Sequence, residues 1–359
     1  MIPDNVCKLL NINDKNNFMN LVTGSTGLVG SHLIADLLLS GEKVRAMKRK
    51  TSNTRQLLKT FSYYTSTPQE WFNRIEWAEA DVLDENSLRE AIEGINRVYH
   101  TAAMVSFHPY DSKKMLRTNI EGTANIVNLC LESRVEKLCH VSSISALGTV
   151  PEKQIITEDC IWKDTKDKSW YAVSKFRSEM EVWRGIAEGL NAVIVNPSMI
   201  IGPGNWKQGT QQFFLRVWKG MPLYTPGTNG WVDVRDVVKA MIVLMNSNIS
   251  GERFTLTSEN LSYYEILSLI AAALGKKPPR FRIPALVLEL IWREEHLRSL
   301  LFRSRPLITR ELARAGMKNT LFSNDKARSI PGIQFRPVEE SIREIALLFR
   351  KDMTDKKSG

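Results

Sequence analysis

The segment Leu21-Val22-Thr23-Gly24-Ser25-Thr26-Gly27-Leu28-Val29-Gly30 holds the most informative pattern in the chain. An apolar run feeds three glycines spaced three and three apart, and a helical pattern, Gly30 to Ser40, follows at once. Strand, tight turn and helix in that order turn a glycine pattern into a dinucleotide-site signal. Gly24 lets the backbone turn sharply, Gly27 lets it approach a pyrophosphate, and Gly30 lets the helix pack closely on the strand. Ser25, Thr26, Leu28 and Val29 complete the loop and the first helical turn, whose free N–H groups and positive dipole end favour phosphate.

Outward from this turn the rhythm repeats. Candidate strands Met19 to Thr23, Lys43 to Met47, Ile75 to Ala78, Val98 to Thr101, Lys137 to Val141 and Ala192 to Asn196 alternate with helical patterns at Gly30 to Ser40, Asn86 to Glu93, Met115 to Leu131 and Tyr171 to Glu188. Repeated β-α units predict an α/β fold, a parallel sheet with right-handed crossovers and helices on both faces. After Asn196 the loops carrying Pro197, Gly202-Pro203-Gly204, Pro222 and Pro226-Gly227 break the rhythm, before helices near Val234 to Met245 and Tyr263 to Leu274. The chain divides into an N-terminal extension (1–17), a nucleotide-binding domain (18–197, with 230–256 returning to it), a smaller, mostly helical substrate lobe (198–229 and 257–350) and a flexible charged tail (351–359).

Composition sets the outer bounds. At 359 residues, 43% hydrophobic and 25% charged, the chain has the make-up of a globular protein rather than a fibre or a disordered tract. The most tempting apolar stretch, Ile283 to Trp292, is too short to span a bilayer and carries Glu289. Met1 to Lys15 mixes charge and Asn where a secretory leader needs an unbroken apolar run, so a cytoplasmic protein is expected. Cys7, Cys130, Cys139 and Cys160 share no metal-ligand spacing and suggest reduced thiols, with no metal site. The net charge of +10 favours anionic ligands. Its clusters, Lys43 to Lys50, Lys276 to Arg282, Arg293 to Arg310 and Arg350 to Lys357, lack interleaved stacking aromatics and speak against nucleic acid. The basic amphipathic stretch Ile283 to Leu301 reads as a lobe helix or oligomer contact in preference to a membrane-surface segment.

Two further patterns carry chemistry. Ala46-Met47-Lys48-Arg49-Lys50, at the end of the second strand, supplies three cations and no carboxylate. A carboxylate there binds a ribose 2′-OH and an arginine a 2′-phosphate, so NADP(H) is favoured over NAD(H), with Arg49 the principal contact. Tyr171-Ala-Val-Ser-Lys175 sets a phenol and an ammonium on one helix face. A nearby cation favours the phenolate and brings the tyrosine toward acid–base work. Tyr110 and Lys114 repeat the spacing, yet only Tyr171 follows an apolar strand that ends in hydroxyls, Leu138 to Ser143, where open parallel sheets place their chemistry. Ser142, Ser143 and Ser145 are all candidates on this ground.

The ordered set Thr23-Gly24-x-x-Gly27-x-x-Gly30, Asp81-Val82, His100-Thr-Ala-Ala103, Asn119, Ser143 and Tyr171-x-x-x-Lys175 resembles the extended short-chain dehydrogenase/reductase superfamily, also described as the NAD-dependent epimerase/dehydratase family. The resemblance covers Met19 to Val238 and implies a Rossmann-type doubly wound sheet. It implies that Asp81 and Val82 border the adenine, that Thr101, Ala102 and Ala103 line the cofactor cleft, that Pro197 opens the loop near the nicotinamide, and that Asn119 props the active-site helix. Ser143 takes the catalytic serine's offset of five residues before Gly148. The implied chemistry has Ser143 and Tyr171 hydrogen-bonding a carbonyl oxygen, Tyr171 supplying the proton, Lys175 holding the nicotinamide ribose and depressing the tyrosine, and the cofactor supplying hydride.

The stretches Gly227 to Asp236 and Val193 to Pro203, and the Val44-Arg-Ala-x-x-Arg49 run, resemble the dihydroflavonol 4-reductase branch and its aldehyde and ketone reductase relatives. An oxidoreductase acting on a small carbonyl or alcohol substrate is therefore expected. A nucleotide-sugar epimerase or dehydratase is the alternative, and a non-catalytic NADP-binding sensor the third reading. Phe107, Met199, Phe213 and Trp231 are candidate substrate contacts, with His108 and Phe214 beside them. Arg235 suits either an acidic substrate or a plain salt bridge, and the helices Met115 to Leu131 and Tyr171 to Glu188 are compatible with a homodimer or a monomer.

Overall fold

The computed structural model describes residues 18–150, 154–163, 168–302 and 309–355. Strands β1 (Met19–Thr23), β2 (Lys43–Lys48), β3 (Glu76–Glu79), β4 (Arg97–His100), β5 (Lys137–Val141), β7 (Ala192–Pro197) and β11 (Glu252–Leu256) form one sheet in the order β11-β7-β5-β4-β1-β2-β3. Every neighbouring pair is parallel. The chain runs outward from β1 to β3, then returns to β4 on the other side of β1, so the switch point lies between β1 and β4.

Period-two alternation divides the core into two layers. Val22, Cys139 and Val193 pack on one face with Leu33 and Leu37 of α1 (Leu28–Leu39) and Val237 and Met241 of the returning helix Val234–Met245. Leu21, Leu138 and Ile194 pack on the other with α4 (Glu85–Ile92), α5 (Ser112–Glu132) and α6 (Trp170–Ala187). Each such fully buried aliphatic side chain contributes roughly 1.5–3 kcal/mol. Between β2 and β3 run α2 (Arg55–Phe61) and α3 (Pro68–Asn73), which the sequence pattern did not announce. They are two turns or shorter and are held by the edge-on contact of Phe61 and Trp71, whose ring centres lie 5.7 Å apart.

The smaller lobe has its own sheet, in which β10 (Thr228–Asp233) pairs with β8 (Met199–Ile201) on one side and β12 (Glu259–Ser262) on the other. Short strands β6 (Ile155–Ile156) and β14 (Leu321–Phe322) pair, as do β9 (Leu223–Tyr224) and β13 (Phe281–Arg282). The lobe core joins α7 (Gln212–Trp218) and α9 (Tyr263–Leu274) to α13 (Val338–Asp355). Between these, α8 (Val234–Met245) returns to cover the large sheet, while α10 (Ala285–Phe302), α11 (Arg310–Ala315) and α12 (Asp325–Arg328) complete the fold. Among the described residues no helix is long and apolar enough to cross a membrane.

The expected flexible tail is corrected at its start. Residues 351–355 continue α13, and buried Asp352 accepts hydrogen bonds from Tyr63 Oη (2.7 Å) and Trp206 Nε1 (2.8 Å) while pairing with Lys59. A charged residue of the expected tail instead anchors the helix. The N-terminal extension with Cys7, and residues 356–359, lie outside the described residues.

Candidate active site

Parallel registry carries the C-terminal ends of β1, β4 and β5 to one edge, with Thr23 beside His100 and His100 beside His140. Gly24 has φ +66°, and a Cβ there would stand 2.7 Å from Ala102 N. A Cβ on Gly30 would meet Gly24 O at 2.4 Å, so this glycine fixes how closely α1 seats on the turn. Gly27 meets only Gly24 O, at 3.2 Å, and is exposed. Ser25 Oγ donates to Met47 O (2.7 Å), tying the turn to the end of β2, and no side chain caps α1. Thr26, Leu28 and Val29 are half-buried around that uncapped terminus.

The flanking candidates line the same edge. Thr101 Oγ1 donates to Thr23 O (2.6 Å) and Ala102 N to Thr23 Oγ1 (3.2 Å); Ala103 is exposed. Asp81 Oδ1 accepts from Leu83 N (3.0 Å), and Val82 is buried under α5, where its O accepts from Asn125 Nδ2 (2.9 Å). Pro197 closes β7. At the end of β2, Lys48 is drawn to β3 by Glu79 (3.9 Å) and lies over Trp77, whereas Arg49 is exposed and its guanidinium makes no ion pair with a described residue.

Ser143 and Tyr171 meet at this edge, the serine hydroxyl favouring the charged form of the phenol. Ser143 Oγ accepts from Ser145 N (3.1 Å). Ser142 is otherwise engaged, donating to Glu179 Oε2 at 2.6 Å. Tyr171 sits in the first turn of α6, capped by Ser169, while Tyr110 is exposed. One turn on, buried Lys175 donates to Val141 O (2.9 Å) at the end of β5. Asn119 locks the pieces together: its Oδ1 accepts from Met104 N (2.7 Å) and its Nδ2 donates to Met104 O (2.9 Å) and Ser174 Oγ (3.0 Å).

The electrostatics differ from the sequence expectation. Burial pushes the Tyr171 phenol above its ordinary value, and the Ser143 hydroxyl acts against that rise. Burial pulls Lys175 down to about 8, with Glu179 opposing. The lysine's ammonium is aimed at the β5 carbonyl, so desolvation rather than the cation governs the phenol.

Sequence reading missed the support behind this pair. Glu179, 1% exposed, accepts from Ser142, Asn196 Nδ2 (2.8 Å), Trp183 Nε1 (3.3 Å) and Arg253 Nη1 (2.9 Å). The available signal was spacing: Tyr171, Lys175 and Glu179 recur every four residues on one helical stripe. His100 and His140 lie buried beneath, both held neutral by desolvation with Lys175 adding to it, His100 at about 3.

The substrate candidates separate. Phe107 packs edge-on against Tyr171 at 5.4 Å. Met199, on β8, is half-buried. Trp231 is corrected to the lobe core: it is fully buried, donates Nε1 to Leu261 O (2.9 Å) and packs against Phe213 and Tyr263. Phe213 goes with it as half-buried packing, and Phe214 is buried. Arg235 is a salt bridge, holding Asp233 (2.7 Å) and Glu344.

The residues present fit a nicotinamide dinucleotide. An uncapped helix end behind a positive-φ glycine can take phosphates, and a buried ammonium and a hydroxyl pair stand at the adjoining strand ends. The model of the NAD dependent epimerase/dehydratase family matches residues 20–256, and the chain belongs to that family. Sterol demethylase protein B of Methylococcus capsulatus is 32% identical over 266 residues, 74% of this chain and 77% of that one. Cinnamoyl-CoA reductase 1 of Petunia hybrida is 26% identical, covering 90% of this chain and 89% of that one. UDP-glucose 4-epimerase of Thermus thermophilus, solved with NAD, is 23% identical with a TM-score of 0.71, covering 93% of this chain and 99% of that one, and shows the fold alone. The chain is an NAD(P)-dependent oxidoreductase of the extended short-chain dehydrogenase/reductase type, on its dihydroflavonol 4-reductase-like side.

Proposed function

We propose that the protein is an NADP(H)-dependent carbonyl reductase working through Ser143, Tyr171 and Lys175. The observation that carries this reading is the meeting of Ser143 and Tyr171 at the end of β5, with Lys175 buried one turn on and donating to Val141 O and the glycine turn two strands away. Gly24 to Gly30, Asp81, Val82, Thr101 to Ala103, Pro197 and Lys175 would hold the dinucleotide, and Arg49 a 2′-phosphate. The bound nicotinamide supplies hydride. Ser143 donates to the substrate carbonyl oxygen, its own acceptor side taken by Ser145 N. Tyr171 keeps its proton at Oη until charge develops on that oxygen, then delivers it. The relatives named as reductases support net reduction over epimerisation.

Titration of the purified chain with NADPH and NADH, on the natural sequence and on Arg49→Ala, tests the cofactor. Absorbance assays against a panel of aldehydes and ketones test the reaction. Arg49-dependent preference for NADPH and net NADPH oxidation are expected. Conversion of a nucleotide sugar with no net NADPH loss would overturn the reductase reading, and nucleotide binding without any turnover would favour a sensor.

A further inference from the structure

The small lobe turns an apolar stripe toward solvent. Leu286, Leu290 and Leu297 of α10 are 77%, 61% and 58% exposed, at positions i, i+4 and i+11 on one side of the helix. Leu288, 4% exposed, anchors the opposite side, so the helix packs inward and still presents leucine outward. Just ahead of α10, exposed Phe281 is the registry partner of exposed Leu223 across β13 and β9, which sets both on one face of that ribbon. Exposed large apolar residues grouped this closely along the chain are uncommon on a surface that faces only water.

The surroundings of this stripe are cationic. Residues 276–314 contain ten Lys and Arg against four Glu, over half of the chain's net charge of +10. Arg293 and Arg298 pair with Glu289 (3.0 Å) and Glu295 (2.9 Å), but Lys277, Arg280 and Arg282 are exposed and form no ion pair with a described residue. The patch adjoins the active site. Arg310 of α11 lies over the Trp292 ring of α10 at 5.8 Å, and Glu311 accepts the N–H of Trp170, the residue before Tyr171, at 3.3 Å.

We propose that this lip, Phe281 to Leu297 with its basic flank, docks the protein peripherally on an anionic phospholipid bilayer. The leucines would enter the acyl boundary while Lys277, Arg280 and Arg282 meet headgroup phosphates. A second copy is a poorer occupant, because a two-fold contact through this face would set one cationic flank against another. The docking does not depend on which reaction the site performs.

The test is co-sedimentation of the full chain with vesicles of phosphatidylcholine alone and of phosphatidylcholine mixed with phosphatidylglycerol. Binding is expected to the mixed vesicles, weakening as salt is raised. The triple change Leu286→Ser, Leu290→Ser, Leu297→Ser should lower it about tenfold or more while the thermal unfolding midpoint stays in place. Should that variant unfold, Arg280→Glu with Arg282→Glu, at exposed positions, must still weaken binding. Absence of binding to the mixed vesicles, or equal binding by folded variants, overturns the proposal. So does a dimer in sedimentation velocity that the leucine changes abolish, which would assign the stripe to a second copy.

Discussion

Tyr171 and Lys175 are governed by burial, and that makes the site pH-sensitive in a definite direction. Lys175 titrates at about 8, below its unfolded value of 10.5. The unfolded chain therefore binds more protons between those two values, and this lysine makes stability rise with pH across that window. For turnover the sign reverses, because the proposed reaction needs the ammonium. The value of kcat/KM should be level below about 8 and fall as pH rises through it, whereas Lys175→Arg, which keeps its charge, should displace that limb upward at a lower rate. A limb left in place by the arginine would assign it to another group. Arg49→Ala should weaken NADPH about ten- to a hundredfold, the worth of a charge-assisted contact, and leave NADH unchanged. Tyr171, Lys175 and the cationic end of β2 were legible because side-chain chemistry at fixed spacing survives without coordinates. The Glu179 network was not, since its partners Ser142, Asn196 and Arg253 come from three different strands or strand ends.

At the scale of elements, the glycine turn separates packing from binding. Gly30→Ala brings a Cβ within 2.4 Å of Gly24 O, so denaturant unfolding should show a loss of about 1–3 kcal/mol along with lost nucleotide affinity. Gly27→Ala meets only one oxygen at 3.2 Å and should keep the fold while weakening nucleotide in the same titration. Equal destabilisation by both would deny the distinction. Six of the seven strands of the large sheet were readable because short apolar centres such as Val98-Tyr99, Leu138-Cys139 and Ala192 to Val195 stand between turns, whereas β11, which opens on Glu252 and Arg253, was not. The short helices α2 and α3 gave too few turns for a period to emerge. Trp231 misled because an aromatic in a loop-rich lobe has the same appearance in sequence whether it lines a pocket or fills a core.

Over the whole molecule, Asp352 fastens the end of the chain to both parts. It joins Tyr63, beyond α2 of the nucleotide-binding part, to Trp206 of the lobe through α13. Asp352→Ala would strand a buried phenol and an indole N–H, so the free energy of unfolding should fall by about 2–4 kcal/mol in a denaturant titration. The lobe's arrangement was largely illegible because its strands are short and its contacts link distant segments. In the proposed reaction hydride supplied by NADPH and a proton from Tyr171 together reduce a carbonyl at the end of β5. Its most direct test is NADPH oxidation, with a carbonyl substrate identified in the panel, by Tyr171→Phe beside the natural chain. A rate lower by about a hundredfold or more with unchanged NADPH affinity is the predicted result. Undiminished oxidation by the phenylalanine variant would contradict it.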